Sequence, residues 1–201
     1  MLYRVARAVM ALYILLFHRI RIIGRENIPA TGPVLMFANH PSAFDMFLIA
    51  CLIKRKVHFM AKAELFENKV LGFLLRRIGA FPVHRGKGDA GSVKSAIALL
   101  ARGEVVGIFP EGTRTRARNH DRKKGGAALL AYHTDAPILP VAVEGRYRIF
   151  KKMRVIYGEP FRLPPPAGPK ADREELYAGT TEILDRIYAL MDPKIAAGGF
   201  R

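Results

Sequence analysis

Apolar residues gather along this chain in short runs, each bounded by glycine, proline or polar residues. One run, Pro33-Val34-Leu35-Met36-Phe37-Ala38, is too short for a helix and unbroken by polar positions, which predicts a buried strand. Further strands are predicted over 57–60, 80–83, 105–109, 137–143 and 154–157. Helix signals lie between them. One helix runs from a cap at Ser42 to Ile53, and one over 70–78 stops at Gly79. Another is capped by Ser92 and ended by Gly103, and a fourth covers 126–133. Past the stiff connector Pro164-Pro165-Pro166, Asp172 and Glu175 make a capping box for a helix reaching Met191. Its apolar face carries Leu176, Thr180, Ile183, Leu184, Ile187 and Leu190. Strands separated by helices, with few hairpin turns, predict one α/β domain with a largely parallel central sheet flanked by helices. There is no internal repeat.

The N-terminus follows a different pattern. Residues 8–17 are an unbroken apolar run, with Arg4 and Arg7 before it and His18, Arg19 and Arg21 after. A helix of that length reaches about 15 Å, roughly half a bilayer's hydrocarbon core, so it does not span. Phe17-His18-Arg19-Ile20-Arg21 offers no small-residue cleavage site, which sets a signal peptide aside. An apolar helix edged by arginines predicts an element lying in a membrane interface. Residues 1–21 are read as that helix and 22–201 as the globular domain. The short stretch before the first predicted strand has room for one such helix and not for a two-helix anchor.

Charge changes the picture further. The 201 residues hold 33 Lys+Arg against 17 Asp+Glu, a formal +16, which suits an acidic membrane, a phosphorylated substrate or nucleic acid. Tryptophan is absent and the basic stretches have few interleaved aromatics, which argues against nucleic acid. Cys51 is the one cysteine, so no internal disulfide forms, and a reducing cytosol fits. Together with the N-terminal helix this predicts a peripheral or monotopic protein on the cytoplasmic face of the cell membrane. Cys51 sits in an apolar run and reads as a small core residue. The six histidines are scattered without cysteine partners, so no metal site is expected.

Asn39-His40-Pro41-Ser42-Ala43-Phe44-Asp45 follows the strand over 33–38, at the end where open α/β sheets hold ligands. A histidine there can take a proton from a hydroxyl, and a carboxylate can hold the imidazole's other N–H. Five residues along one helix would put the pair on different faces. His40 must therefore precede the helix and Asp45 sit in its first turn, a break that Pro41 supports. The same spacing recurs as His84 and Asp89, so spacing alone decides nothing. Gly86-Lys87-Gly88-Asp89-Ala90-Gly91 matches a dinucleotide-binding loop, with Glu111 where a ribose-binding acid would stand. Against it, His84 and Arg85 intervene before the first glycine, and Asp89 is an unhelpful charge beside a pyrophosphate. Phe109-Pro110-Glu111-Gly112-Thr113-Arg114 follows another strand. Its N–H groups, the Thr113 hydroxyl and the Arg114 fork could grip an oxygen-rich anion, and Arg85 could add a second contact. Arg116 and Arg118 read as solvated charges.

In this order, Asn39 to Asp45, Gly79-Ala80-Phe81-Pro82-Val83-His84-Arg85-Gly86, Phe109 to Arg114 and Ile138-Leu139-Pro140-Val141-Ala142-Val143 resemble the four blocks of the glycerolipid acyltransferase family, which includes bacterial 1-acylglycerol-3-phosphate acyltransferases. The resemblance covers roughly residues 22–160. It implies a glycerol-3-phosphate acyltransferase-like α/β fold with an N-terminal helical element that meets the membrane. His40 and Asp45 match the catalytic pair. Arg85, Glu111, Gly112 and Arg114 match positions that bind the phosphorylated acceptor, and Thr113 stands at the variable position between the last two. Pro140 matches a position linked to the acyl donor. The implied reaction carries a fatty acyl group from acyl-CoA or acyl carrier protein to the free hydroxyl of 1-acylglycerol-3-phosphate, giving phosphatidic acid. The thioester is a co-substrate, and no cofactor is implied. No G-x-S-x-G elbow and no cysteine lies in these blocks, which favours direct transfer over an acyl-enzyme. The alternatives are another lysolipid or glycerol-3-phosphate as acceptor, an NAD-type enzyme, and a non-catalytic anionic-lipid-binding protein.

Overall fold

The computed structural model describes residues 2–84, 90–115, 125–145 and 147–196. Seven strands form one sheet: β1 (Arg19–Ile23), β2 (Val34–Ala38), β3 (Val57–Lys62), β4 (Phe81–Val83), β5 (Val105–Ile108), β6 (Ile138–Gly145) and β7 (Lys152–Tyr157). The helices are α1 (Leu2–Phe17), α2 (Asp45–Leu52), α3 (Lys69–Ile78), α4 (Ala90–Ala101), α5 (Gly126–Thr134), α6 (Arg173–Ala189) and α7 (Pro193–Ala196). The sheet order is β1-β7-β6-β2-β5-β3-β4. All neighbours run parallel except β6 and β7, so the sheet is largely parallel as expected. The β6–β7 connection is too short for a crossover, and the chain turns back as a hairpin.

Both faces of the central strands are covered. Val34, Met36 and Ala38 of β2 meet Ile14 of α1 and Leu48, Ile49 and Ile53 of α2 or its end. Leu35 and Phe37 point the other way, toward Ala96, Leu99 and Leu100 of α4, Leu130 of α5 and Ile183 and Ile187 of α6. This is why the strand shows no polar alternation. α3 lies on the α1–α2 side, where Leu75 packs with Ala61 and Ala80 at the β3–β4 edge.

Several local expectations hold. Gly79 ends α3 in the left-handed conformation, with φ of 96°. Asp172 and Glu175 form the capping box of α6, each accepting the other's backbone N–H at 2.8 and 2.9 Å. Three expectations change. Ser92 is not the cap of α4: the helix begins two residues earlier, and Ser92 is buried within it. Ser42 is not the cap of α2 either. The helix starts at Asp45, whose own carboxylate reaches back to accept the Ser42 N–H at 2.7 Å. β1 was not foreseen. It is an edge strand with exposed Arg19 and Arg21 alternating with half-buried isoleucines, a period-two signal masked by the apolar helix beside it.

α1 is longer than the apolar run, 16 residues or about 24 Å, because the arginines before the run join the helix. No helix among the described residues is long and apolar enough to cross a membrane.

Candidate active site

The parallel strands β2, β5 and β6 lie side by side, so their C-terminal ends share one edge of the sheet. β2 is the middle strand of the three, and His40 stands two residues past its end. His40 Nδ1 is 2.9 Å from Asp45 Oδ2, with Asp45 0% exposed in the first turn of α2. The Ser42 N–H donates to the same oxygen, and Tyr147 Oη donates to Oδ1 at 2.6 Å. A carboxylate surrounded by donors is an acceptor only, so Nδ1 carries the proton it offers. Nε2 then holds a lone pair, and no partner meets it among the described residues. Burial and the Asp45 carboxylate push the Tyr147 hydroxyl up, so it remains a donor.

The backbone around His40 is held from both neighbouring strands. Its N–H donates to Glu111 Oε2 at 3.1 Å, and its carbonyl accepts the Thr115 N–H at 2.9 Å. Tyr188 of α6 donates its hydroxyl to Glu111 Oε1. On the other side, the Asn39 amide exchanges two hydrogen bonds with the backbone of Val143, at 2.9 and 2.7 Å. A side chain thus carries the β2–β6 pairing past its last backbone pair, Ala38 with Val141. The imidazole stacks on Phe109 at 3.9 Å between centroids, and Phe109 in turn lies parallel to Phe59 at 5.6 Å. Gly107 makes room for that stack, since a Cβ there would sit 2.5 Å from the Phe59 ring.

The other sequence-derived residues divide into three groups. Gly112, Thr113 and Arg114 lie with His40 at the strand edge: the Gly112 N–H closes a turn onto the Phe109 carbonyl, and Arg114 is exposed, next to the Thr115 tether. Arg85 and Asp89 lie outside the described residues, as do Arg116 and Arg118, while His84 is exposed just past β4. Pro140 is inside the sheet, paired with Phe37. The Gly158 N–H donates to its carbonyl, and a proline cannot return that bond, so the β6–β7 ladder stops at Val141 and Tyr157. Glu111 is buried, its carboxylate turned toward Tyr188 and the His40 backbone and away from the outer surface. Cys51 is half-buried, and burial pushes its thiol up to about 11, which leaves it a weak nucleophile. Among the described residues no cluster of His, Cys, Asp and Glu could hold a metal ion.

A family model described as Acyltransferase matches residues 19–144, which span β1 through β6 and include His40, Asp45 and Glu111. This chain belongs to the acyltransferase family. It is 38% identical over 147 residues to the 1-acyl-sn-glycerol-3-phosphate acyltransferase of Bacillus subtilis, covering 70% of this chain and 73% of that one. The enzyme of that name from Streptococcus pneumoniae is 35% identical over 113 residues, 55% of this chain and 41% of its own. A chloroplastic relative from Arabidopsis thaliana is 29% identical over 66% of this chain, which spans only 38% of it. In fold, the acyltransferase matches the crystal structure of the 1-acyl-sn-glycerophosphate (LPA) acyltransferase PlsC from Thermotoga maritima. The TM-score is 0.67 at 24% identity, over 92% of this chain and 77% of that one. Membership of this family sets the dinucleotide reading of residues 86–91 aside, and Gly91, its last glycine, lies inside α4.

Two apolar cavities of the acyltransferase lie among α1, α2 and the strands they cover. One, of about 90 Å³, is bounded by Tyr13, His18, Phe44, Phe47, Ile149 and the same Tyr147 that holds Asp45. The other, of about 110 Å³, lies between Met10, Met46, Phe47, Cys51 and Phe59. Asn39, Phe109, Tyr147 and Tyr188 were not assigned roles from sequence. Asn39 and Phe109 open two of the blocks that carry the family resemblance, but nothing local marks the two tyrosines. Glu111→Gln tests its positioning duty, because the amide presents an N–H₂ to one of two buried donors. The variant should lose about 1–3 kcal/mol of unfolding free energy and lower kcat more than it alters the acceptor KM. A rise in acceptor KM alone would return Glu111 to direct acceptor contact.

Proposed function

We propose that this acyltransferase moves a fatty acyl group from a thioester donor, acyl-CoA or acyl carrier protein, to the free hydroxyl of 1-acyl-sn-glycerol-3-phosphate, giving phosphatidic acid. The buried Asp45 carboxylate gripping Nδ1 of His40 carries the reading, because it leaves Nε2 as the base. His40 Nε2 takes the acceptor's hydroxyl proton, and the oxygen attacks the thioester carbonyl. The tetrahedral intermediate expels the thiolate, which takes the proton back from the imidazolium. The names of the relatives supply the acceptor class. The loop at Gly112, Thr113 and Arg114 offers the phosphate a cation and donors, tied to His40 through Thr115. The cavity bounded by Tyr147, which also holds Asp45, offers an apolar surface on the acyl-chain side of the pair.

In this reading α1 lies in the interface of an acidic membrane on its cytoplasmic face. Its inner side is packed, with Ile14 buried, while Val5, Val9, Leu12, Tyr13, Leu16 and Phe17 face outward. Several lysolipids and glycerol-3-phosphate, each assayed with both donors on purified protein, test the assignment. Turnover of 1-acyl-sn-glycerol-3-phosphate should exceed the rest; a preference for an unphosphorylated acceptor would overturn it. Arg114→Ala should lower kcat/KM for the phosphorylated acceptor roughly tenfold to a hundredfold, the worth of one charge-assisted contact. Unchanged acceptor kinetics in that variant would remove Arg114 from the phosphate site.

A further inference from the structure

The large hydrophobic side chains exposed among the described residues are not scattered. They fall on α1, on Leu65 and α3, on Phe44 ahead of α2, and on Ile149 and Phe150 past β6. α4, α5 and α6, which cover the opposite face of the sheet, contribute none. Apolar surface gathered on one side of a molecule marks a contact. α1 carries the part already assigned to a membrane. α3 carries a second, separate part.

α3 exposes Val70 (71%), Phe73 (55%), Leu71 and Leu74, while Gly72 and Leu75 turn inward. Val70, Phe73, Leu74 and Arg77 follow helical spacing along one stripe. The Arg77 guanidinium lies over the Phe73 ring at 4.9 Å, and Arg76 over Phe66 at 5.1 Å. Lys56 approaches the same end of α3, beside Gly79. Long cationic side chains laid over one exposed and one half-buried aromatic, next to an apolar stripe, fit the level where acyl chains meet anionic head groups. α3 also packs on α1, so the two helices that carry these parts are neighbours on one side of the sheet.

We propose that α3 is a second membrane-docking helix, which with α1 seats this side of the protein on an acidic bilayer, Lys56, Arg76 and Arg77 meeting the head groups. The proposal rests on the acyltransferase reading only in that a lipid acceptor gives the surface its purpose. α1 and α3 flank the layer that holds both apolar cavities, and Phe44 and Ile149 of the exposed set line one of them. A lysolipid can therefore pass from bilayer to site without losing apolar contact.

The chain has no tryptophan, so Phe73→Trp gives a single-tryptophan reporter. With equimolar phosphatidylglycerol and phosphatidylcholine vesicles, its emission should shift to the blue and be quenched by brominated acyl chains. Tyr177→Trp on α6 should do neither. Val70→Glu/Phe73→Glu should weaken vesicle partitioning roughly tenfold or more, as should Leu12→Glu/Leu16→Glu on α1. Ala178→Glu/Thr181→Glu adds the same charge to the opposite layer and should stay within about twofold, since it lies beyond the screening length. An unquenched Phe73→Trp, or a control that loses as much as the α3 variant, overturns the proposal. So does emission that shifts with protein concentration alone, which assigns the face to a second copy. Quenching is read without turnover, so intact quenching in a protein that transfers no acyl group would fault the catalytic reading and leave α3 docked.

Discussion

His40→Ala should lower kcat by about a hundredfold to ten-thousandfold, the usual worth of a general base, and leave acceptor binding and folding in place. The chain provides its own control. His84→Ala removes a histidine from the same His-x4-Asp pattern and should stay within a few-fold of the parent. The two sites differ in what surrounds the ring. His40 is buried, stacked on Phe109, and held at its N–H, its carbonyl and its Nδ1. His84 is exposed at the end of the short strand β4. Side-by-side kinetics with one donor and one acceptor decide the matter. A larger loss at His84 than at His40 would sink the mechanism, and equal mild losses would move the chemistry elsewhere.

Asp45→Asn should cost about a thousandfold to ten-thousandfold in kcat, comparable to removing the orienting carboxylate of other His–Asp couples. Three donors converge on the two oxygens of Asp45: His40 Nδ1–H, the Ser42 N–H and the Tyr147 hydroxyl. An asparagine has one oxygen and an N–H₂ group, so one of the three must meet the N–H₂: the Tyr147 hydroxyl can turn to accept from it, but an N–H donor cannot. If the ring is that donor, it gives up its proton at Nδ1 and takes one at Nε2, and the base is gone. The nitrogen chemical shifts of His40 report that exchange directly. Tyr147→Phe removes one donor without touching the ring and should show a smaller loss. Full activity in Asp45→Asn, with the tautomer unchanged, would deprive Asp45 of its role.

The pair could be read from sequence because its members are five residues apart, across a strand end and a helix start that local signals mark. Asn39-His40-Pro41 breaks the chain out of β2, and Asp45 opens α2. The capping box of α6 and the glycine stop of α3 were equally local. The errors were local too. Ser42 and Ser92 look like caps, but α2 begins only at Asp45, three residues past the first, and α4 began early enough to bury the second.

By itself, then, the sequence determined the layered α/β fold, most of its elements, and the pairing of one histidine with one carboxylate, all properties of neighbouring residues and of their periodicity. Tertiary structure decided how that histidine is held. Glu111 reaches His40 across 71 residues, Tyr147 reaches Asp45 across 102, and Asn39 reaches Val143 across 104. Those contacts depend on the order β6-β2-β5, which sets three distant strand ends side by side. The hairpin that reverses β7 and the edge strand β1 depend likewise on pairing and not on propensity. The same holds for the apolar stripe of α3, which the packing around Leu75 leaves with Val70 and Phe73 turned outward. Hydrophobic spacing tells a helix to bury one side. Only the neighbours it packs against decide which side that is, and whether what remains outside meets water or lipid.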